Sequence, residues 1–218
     1  MFHTQTFAIT DRADTINAPY LLHFTRVENI PSIMSNGVCP VASLTAAATT
    51  FRANDLLRLD GHKDAVSLSM AHPNDRMFAK YRWQDLDQKW AVLVLDPAIL
   101  WLLPTAFNRH NAADKRMSTL SREERMSVDA FDAMFKPADD LPSREANRLL
   151  PFDPTDVQAE LLVFCAIKPF FVTGIVFGDA DSLNAYAAGL GNRRLSIHSK
   201  GSGFFGARVY ARKTGWTY

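Results

Sequence analysis

Strand-like runs outnumber long helical ones in this chain, and their order is not a clean strand–helix–strand alternation. "PYLLHFT" (19–25), "DAVSLSM" (64–70), "KWAVLVLD" (89–96), "AELLVFCAI" (159–167), "VTGIVF" (172–177) and "RRLSIHS" (193–199) have strand length and strand composition. That order argues for an α+β fold with a largely antiparallel or mixed sheet. "KWAVLVLD" reads as a central strand. "DAVSLSM" alternates, with Val66, Leu68 and Met70 inward and Ser67 and Ser69 on the other face.

Shorter helical patterns lie between. "ENIPSIMSNGV" (28–38) predicts a helix with Asn29 at its cap, Pro31 in its first turn and Gly37 at its end. A polar Ala/Thr-rich loop follows to about residue 50, and "FRANDLLRLDGH" (51–62) reads as a brief helix or turn. "PNDRMFAKYR" (73–82) starts a helix near Asn74, and another is capped near Asp179 or Asp181. Residues 108–150 are charged, helical in period and poor in large aliphatics, as in an insertion or lid over the sheet.

With 218 residues, 47% of them hydrophobic, the chain can bury one sizeable core, so 1–218 is expected to be one domain. The N-terminus has no apolar signal core, and no stretch reaches the length of a membrane span. The two cysteines, Cys39 and Cys165, have neither zinc nor disulfide spacing. A soluble cytoplasmic protein without a structural metal is expected. Net charge is +1, yet residues 193–218 hold six Arg/Lys and five aromatics with no acid. Lys200, Arg208, Arg212 and Lys213 are therefore candidates for nucleic-acid phosphates, and Arg144 and Arg148 in the 108–157 segment join them. Phe204, Phe205, Tyr210 and Trp216 are either stacking partners for bases or core of the last strands.

Glu160 stands out. It sits at the mouth of an apolar strand, sharing a face with Leu162 and Phe164. Such a charge is either a solvated or paired strand-end group, or a catalytic carboxylate in a cleft. His23 and Thr25 share one face of another strand just before a helix N-terminus, a place able to hold ribose or phosphate. Arg58, in "NDLLRLDGH", reads on its own as a helix charge in solvent. Ser67 and Ser69 are either the wet face of a strand or part of a site. Phosphate loops, nucleophile elbows and HExxH-type metal motifs are absent from the sequence.

Taken together, "HFTRVENIPSIMSNGV", "ANDLLRLDGHKDAVSLSMAHPNDRMFAKYR", "WAVLVLDPAILW" and "QAELLVF" resemble the DarT family of DNA ADP-ribosyltransferase toxins over most of residues 20–170. The middle segment resembles the guanine-modifying branch more than the thymine-modifying one. The resemblance implies an ADP-ribosyltransferase fold in which two small sheets form a cleft for NAD, with a helical insertion. It implies that residues 108–157 are a helical insertion and acceptor-reading loop, that Glu160 at the end of that loop is the catalytic glutamate, and that Arg58 holds the dinucleotide phosphates. His23, Thr25 and Asn29 match the NAD-contacting strand–helix unit, and Ser67 and Ser69 the Ser/Thr-containing strand. Tyr81 or Phe78 lines nicotinamide. It further implies single-stranded DNA as substrate, NAD as co-substrate with no metal and no membrane, and a role as a toxin or phage-defence effector. Its cognate antitoxin would remove the mark, as an ADP-ribose hydrolase such as a macrodomain protein does. Two alternatives stay open: ADP-ribosylation of thymine, RNA or protein, and a non-enzymatic nucleic-acid-binding module.

Overall fold

In the computed structural model, which describes residues 2–46 and 61–218, the strands are β1 (Leu21–Arg26), β2 (Val66–Met70), β3 (Trp90–Leu95), β4 (Thr105–Asn108), β5 (Glu160–Val163), β6 (Val172–Phe177) and β7 (Arg194–Ile197). They form one mixed sheet in the order β4-β5-β2-β1-β3-β6-β7. All neighbours are antiparallel except β6 and β7. The α+β expectation is met, but the two small sheets are replaced by one continuous sheet. The reason lies at its centre. β1 and β2 pair only at Leu21↔Met70 and Leu22↔Ser69, whereas β1 and β3 pair from Leu21↔Leu95 to Arg26↔Trp90. A short join suffices to keep the two halves in one sheet while leaving their far ends unpaired.

Strand alternation sends side chains to two cores. Leu21, Leu68, Met70, Leu93, Leu161, Val163 and Ile175 face a large core closed by α1 (Phe2–Thr15), α2 (Ile30–Asn36), α5 (Ile99–Leu102) and α8 (Val128–Ala133). Leu22, Val92, Val94 and Val176 face a second core with Phe78, Phe204 and Phe205. β3 is buried along its whole length because both of its faces are covered, which is why its sequence is an unbroken apolar run.

The predicted helices fall where caps place them. Asn74 Oδ1 accepts the Met77 N–H at 3.1 Å and starts α4 (Asp75–Gln84). Asp179 accepts the Ser182 N–H at 2.8 Å and starts α9 (Ala180–Tyr186). Gly37 ends α2 at φ +89°, and a Cβ there would run into the Ile167 carbonyl, so only glycine fits. Asn29 departs from expectation: its side chain does not cap α2 but donates to Thr25 Oγ1 at 3.1 Å. α1, α3 (Val41–Ala46) and β4 were not anticipated. The insertion carries α6 (Lys115–Ser118), α7 (Arg122–Arg125) and α8, and it is no loose lid. Met117, Phe131 and Met134 are buried, and Phe131 meets Phe107 edge-on at 5.2 Å. The chain ends in α10 (Arg208–Lys213). No helix among the described residues is long and apolar enough to cross a membrane.

Candidate active site

β5 pairs with β2 on one side and β4 on the other, and this brackets Glu160. Glu160 lies opposite Asn108, and Leu162 lies opposite Ser67, so all four leave the sheet on the same face. The Ser67 hydroxyl donates to Glu160 Oε1, and the Ala112 N–H donates to Oε2 at 2.9 Å. The strand end itself is pinned: Asn108 Nδ2 donates to the Glu160 carbonyl at 3.1 Å. Asn108 Oδ1 in turn accepts from Arg125 Nη1 at 3.2 Å, and Arg125 Nη2 donates to His62 Nε2 at 2.9 Å. A carboxylate on a mostly apolar face is tolerable when both oxygens meet donors. Here the donors come from two separate elements, so the group is held in one orientation. Asn108, Ala112 and Arg125 escape a reading of the sequence. Ala112 contributes only its backbone, and the other two act across more than one turn of chain.

His23 Nδ1 donates to the Ser67 carbonyl at 2.9 Å, filling the gap where β1 and β2 part. Register places His23 opposite Leu93 and Thr25 opposite Ala91, on the face of the large core, whereas Glu160 and Ser67 project from the other. The strand–helix unit and the glutamate thus meet across the parting of the strands. They do not share one surface. Thr25 is buried and half-buried Asn29 reaches back to it, so these two form a local pair. Ser69 is occupied: its Oγ accepts the Asn74 N–H at 3.1 Å ahead of α4. Phe78 is fully buried, which removes it as a wall residue. Tyr81 is half-buried beside Trp90 and Phe24, with ring centroids 6.3 and 6.1 Å away. Arg58 lies outside the described residues.

The basic tail requires correction. Arg208 and Arg212 are buried, each at 5% exposure, and Arg212 grips the fully buried Asp153 through two bonds of 2.6 Å. The sequence around them has no acid, but the fold brings one from 59 residues earlier. Arg144 is half-buried and donates to the Asp153 and Leu150 carbonyls. Lys200, Lys213 and Arg148 are exposed, and Arg148 Nη1 donates to the Lys213 carbonyl at 3.2 Å. Phe204 and Phe205 are core, Trp216 packs against that core, and Tyr210 stays exposed.

The family model for "ssDNA thymidine ADP-ribosyltransferase, DarT" matches residues 22–202. The chain belongs to the DarT family of single-stranded-DNA ADP-ribosyltransferases. Its fold is similar to that of Thermosipho africanus DarTG in complex with ADP-ribose, with a TM-score of 0.57 and 16% identity over 85% of this chain. The match covers 50% of that chain, so this chain spans about half its length. Thermus sp. 2.9 DarT in complex with ADP-ribosylated ssDNA matches with a TM-score of 0.52 and 13% identity, over 84% of this chain and 95% of that one. The same Thermus protein in complex with carba-NAD+ gives 0.51 and 13%, over 83% and 96%. At these identities the likeness is one of fold. No curated protein matches in sequence.

Proposed function

We propose that the chain transfers ADP-ribose from NAD to a base of single-stranded DNA, with Glu160 as the catalytic carboxylate. The observation that carries this reading is the doubly held Glu160 carboxylate at the end of β5, in a chain whose family is named for that reaction.

The chemistry needs what Glu160 supplies. Breaking the nicotinamide glycosidic bond leaves the electron pair on neutral nicotinamide and builds positive charge on the ribose, as in an oxocarbenium-like transition state. A fixed carboxylate stabilises that charge without reorganising. The bond that forms joins the ribose carbon to a base nitrogen, and the proton this nitrogen loses passes to the carboxylate or to water. Ser67 and the Ala112 N–H keep the carboxylate aimed. His23, Thr25 and Asn29 border the parting between β1 and β2, where a dinucleotide would lie across the two halves of the sheet. Arg58 is assigned to the NAD phosphates, since a planar guanidinium matches phosphate oxygens. A stacked, paired base edge cannot reach such a site, which favours unpaired DNA.

Guanine is our proposed acceptor, from the resemblance of residues 53–82 to the guanine-modifying branch. Thymine is the second reading, because the matching family model is named for thymidine. Transfer onto the chromosome would make the chain a toxin or phage-defence effector, with an ADP-ribose hydrolase as antitoxin. The Thermosipho relative's description as DarTG supports such a pairing. The test is mass spectrometry of DNA oligomers that differ in one base after incubation with NAD. One added ADP-ribosyl group only where guanine is present is expected. Addition that follows thymine instead would transfer the assignment to the other branch. Modification of RNA or protein but not DNA would overturn the acceptor class.

A further inference from the structure

Residues 153–156 are buried although they belong to no helix or strand. Buried loop carbonyls must find donors, and here two arginines supply them while a third holds a buried carboxylate. Arg208 donates from Nη1 to the Pro154 carbonyl at 2.7 Å and from Nη2 to the Thr155 carbonyl at 3.2 Å. Arg144 Nη1 donates to the Asp153 carbonyl at 2.7 Å and to Thr155 Oγ1 at 3.1 Å. Arg212 holds the Asp153 carboxylate, whose Oδ2 also accepts the Leu150 N–H at 2.9 Å. The support is itself anchored, because Asp75 at the start of α4 accepts the Arg208 N–H at 2.7 Å. Arg208 and Arg212 lie beyond residues 22–202, so two of the three arginines come from outside the segment that the family model matches.

We propose that Arg208 and Arg212 are positioning residues: from α10 they fix the 153–156 turn, and thereby the placement of Val157, Gln158 and Glu160 against NAD and the acceptor base. This rests on the reading of Glu160 as the catalytic carboxylate. The turn leads into β5 with only four residues between Thr155 and Glu160. Arg208 binds two successive carbonyls at once, which fixes the orientation of the turn as well as its distance. A lysine can satisfy one of them but cannot reproduce the planar fork. Burial lowers the Arg208 pKa to about 10, which still leaves it charged at neutral pH.

The experiment compares wild type, Arg208→Lys and Arg208→Met by melting temperature, amide exchange across residues 150–160, and kcat and KM for NAD and oligomer. Exchange in 150–160 should rise in both variants, more in Arg208→Met. A displacement of about 1 Å at a reacting group costs roughly 10²-fold, so kcat should fall by about 10- to 100-fold. KM for NAD should stay within about two-fold, because a misplaced glutamate weakens the transition state and not the ground state. Arg208→Lys should lie between the other two. Wild-type kcat per folded molecule, or unchanged exchange in 150–160, overturns the proposal. If Arg208→Met does not fold, Arg208→Lys carries the test. If neither folds, the arginine specifies the fold and not the position, and the proposal falls. A wild type that modifies no oligomer sinks the reading of Glu160 instead, and the exchange measurement still decides whether the arginines hold the turn.

Discussion

His23 Nδ1 and the Ser67 carbonyl are 2.9 Å apart, and the Ser67 hydroxyl donates to Glu160. One serine therefore joins the strand that precedes α2 to the carboxylate that opens β5. Ser67 sits where β2 has left β1 and still pairs with β5, so its carbonyl is free of the β1 ladder and can accept from His23. The parting of the sheet and the fixing of the glutamate have the same origin.

Glu160→Gln should lose transfer by roughly 10²- to 10⁴-fold, the range for removing a general base. The amide keeps an oxygen for one donor, so the melting temperature should change little. The measurement is oligomer modification by mass spectrometry beside a melting curve. Wild-type rates would remove Glu160 from the chemistry.

The two serines of β2 should separate. Ser67→Ala frees one oxygen of Glu160 and should slow transfer by about 10-fold or more, the expected cost of loosening a reacting group. Ser69 instead accepts the Asn74 N–H. Ser69→Ala should cost about 1 kcal/mol of stability, as a lost buried hydrogen bond does, and leave kcat near wild type. Equal kcat losses in both variants would show that the strand acts as a unit and Ser67 has no special part.

Much of this arrangement was legible in the sequence. Period-two alternation put Ser67 and Ser69 opposite Val66, Leu68 and Met70, and put Glu160 with Leu162, because alternation is a local property of a strand. Pairing is not local. Nothing in "PYLLHFT" reveals that its join to β2 lasts two residue pairs, and the two small sheets that the family resemblance implies are one sheet here. The same limit misplaced the arginines. Arg212 in a stretch without acids looks solvent-facing, until Asp153 is brought against it by the fold. α1 has weak amphipathic contrast, although Ile9 and Ala13 are its buried anchors.

His72 should make the fold acid-sensitive. It is buried, and its Nδ1 donates to the Pro73 carbonyl at 3.1 Å. Burial lowers its pKa from 6.5 to about 4. Between those values the unfolded chain binds a proton that the folded chain refuses. Stability is therefore complete above pH 6.5 and is lost as pH falls toward 4, by about 3 kcal/mol in full. Melting temperatures from pH 7 to 4 should fall more steeply for wild type than for His72→Gln. Parallel curves would show that His72 does not set the slope.

Lys200 and Lys213 should contribute DNA affinity, while Arg212 should contribute stability. The lysines are exposed and free to meet phosphates, whereas Arg212 spends its guanidinium on Asp153 and the Trp216 carbonyl. Each phosphate contact to a single strand adds about 0.7 to the slope of log affinity against log salt. Lys200→Gln/Lys213→Gln should therefore flatten that slope by up to about 1.4 if both lysines touch phosphate, and weaken binding at every sequence. The melting temperature should hold. Arg212→Gln should do the reverse, because it strands a buried carboxylate, and breaking such a pair costs about 3–5 kcal/mol. Oligomer binding at several salt concentrations, set beside melting curves, separates the two. An unchanged slope in the double variant would place the DNA path away from Lys200 and Lys213 and toward residues 108–157, where Arg148 is one of several exposed cations and the next to test.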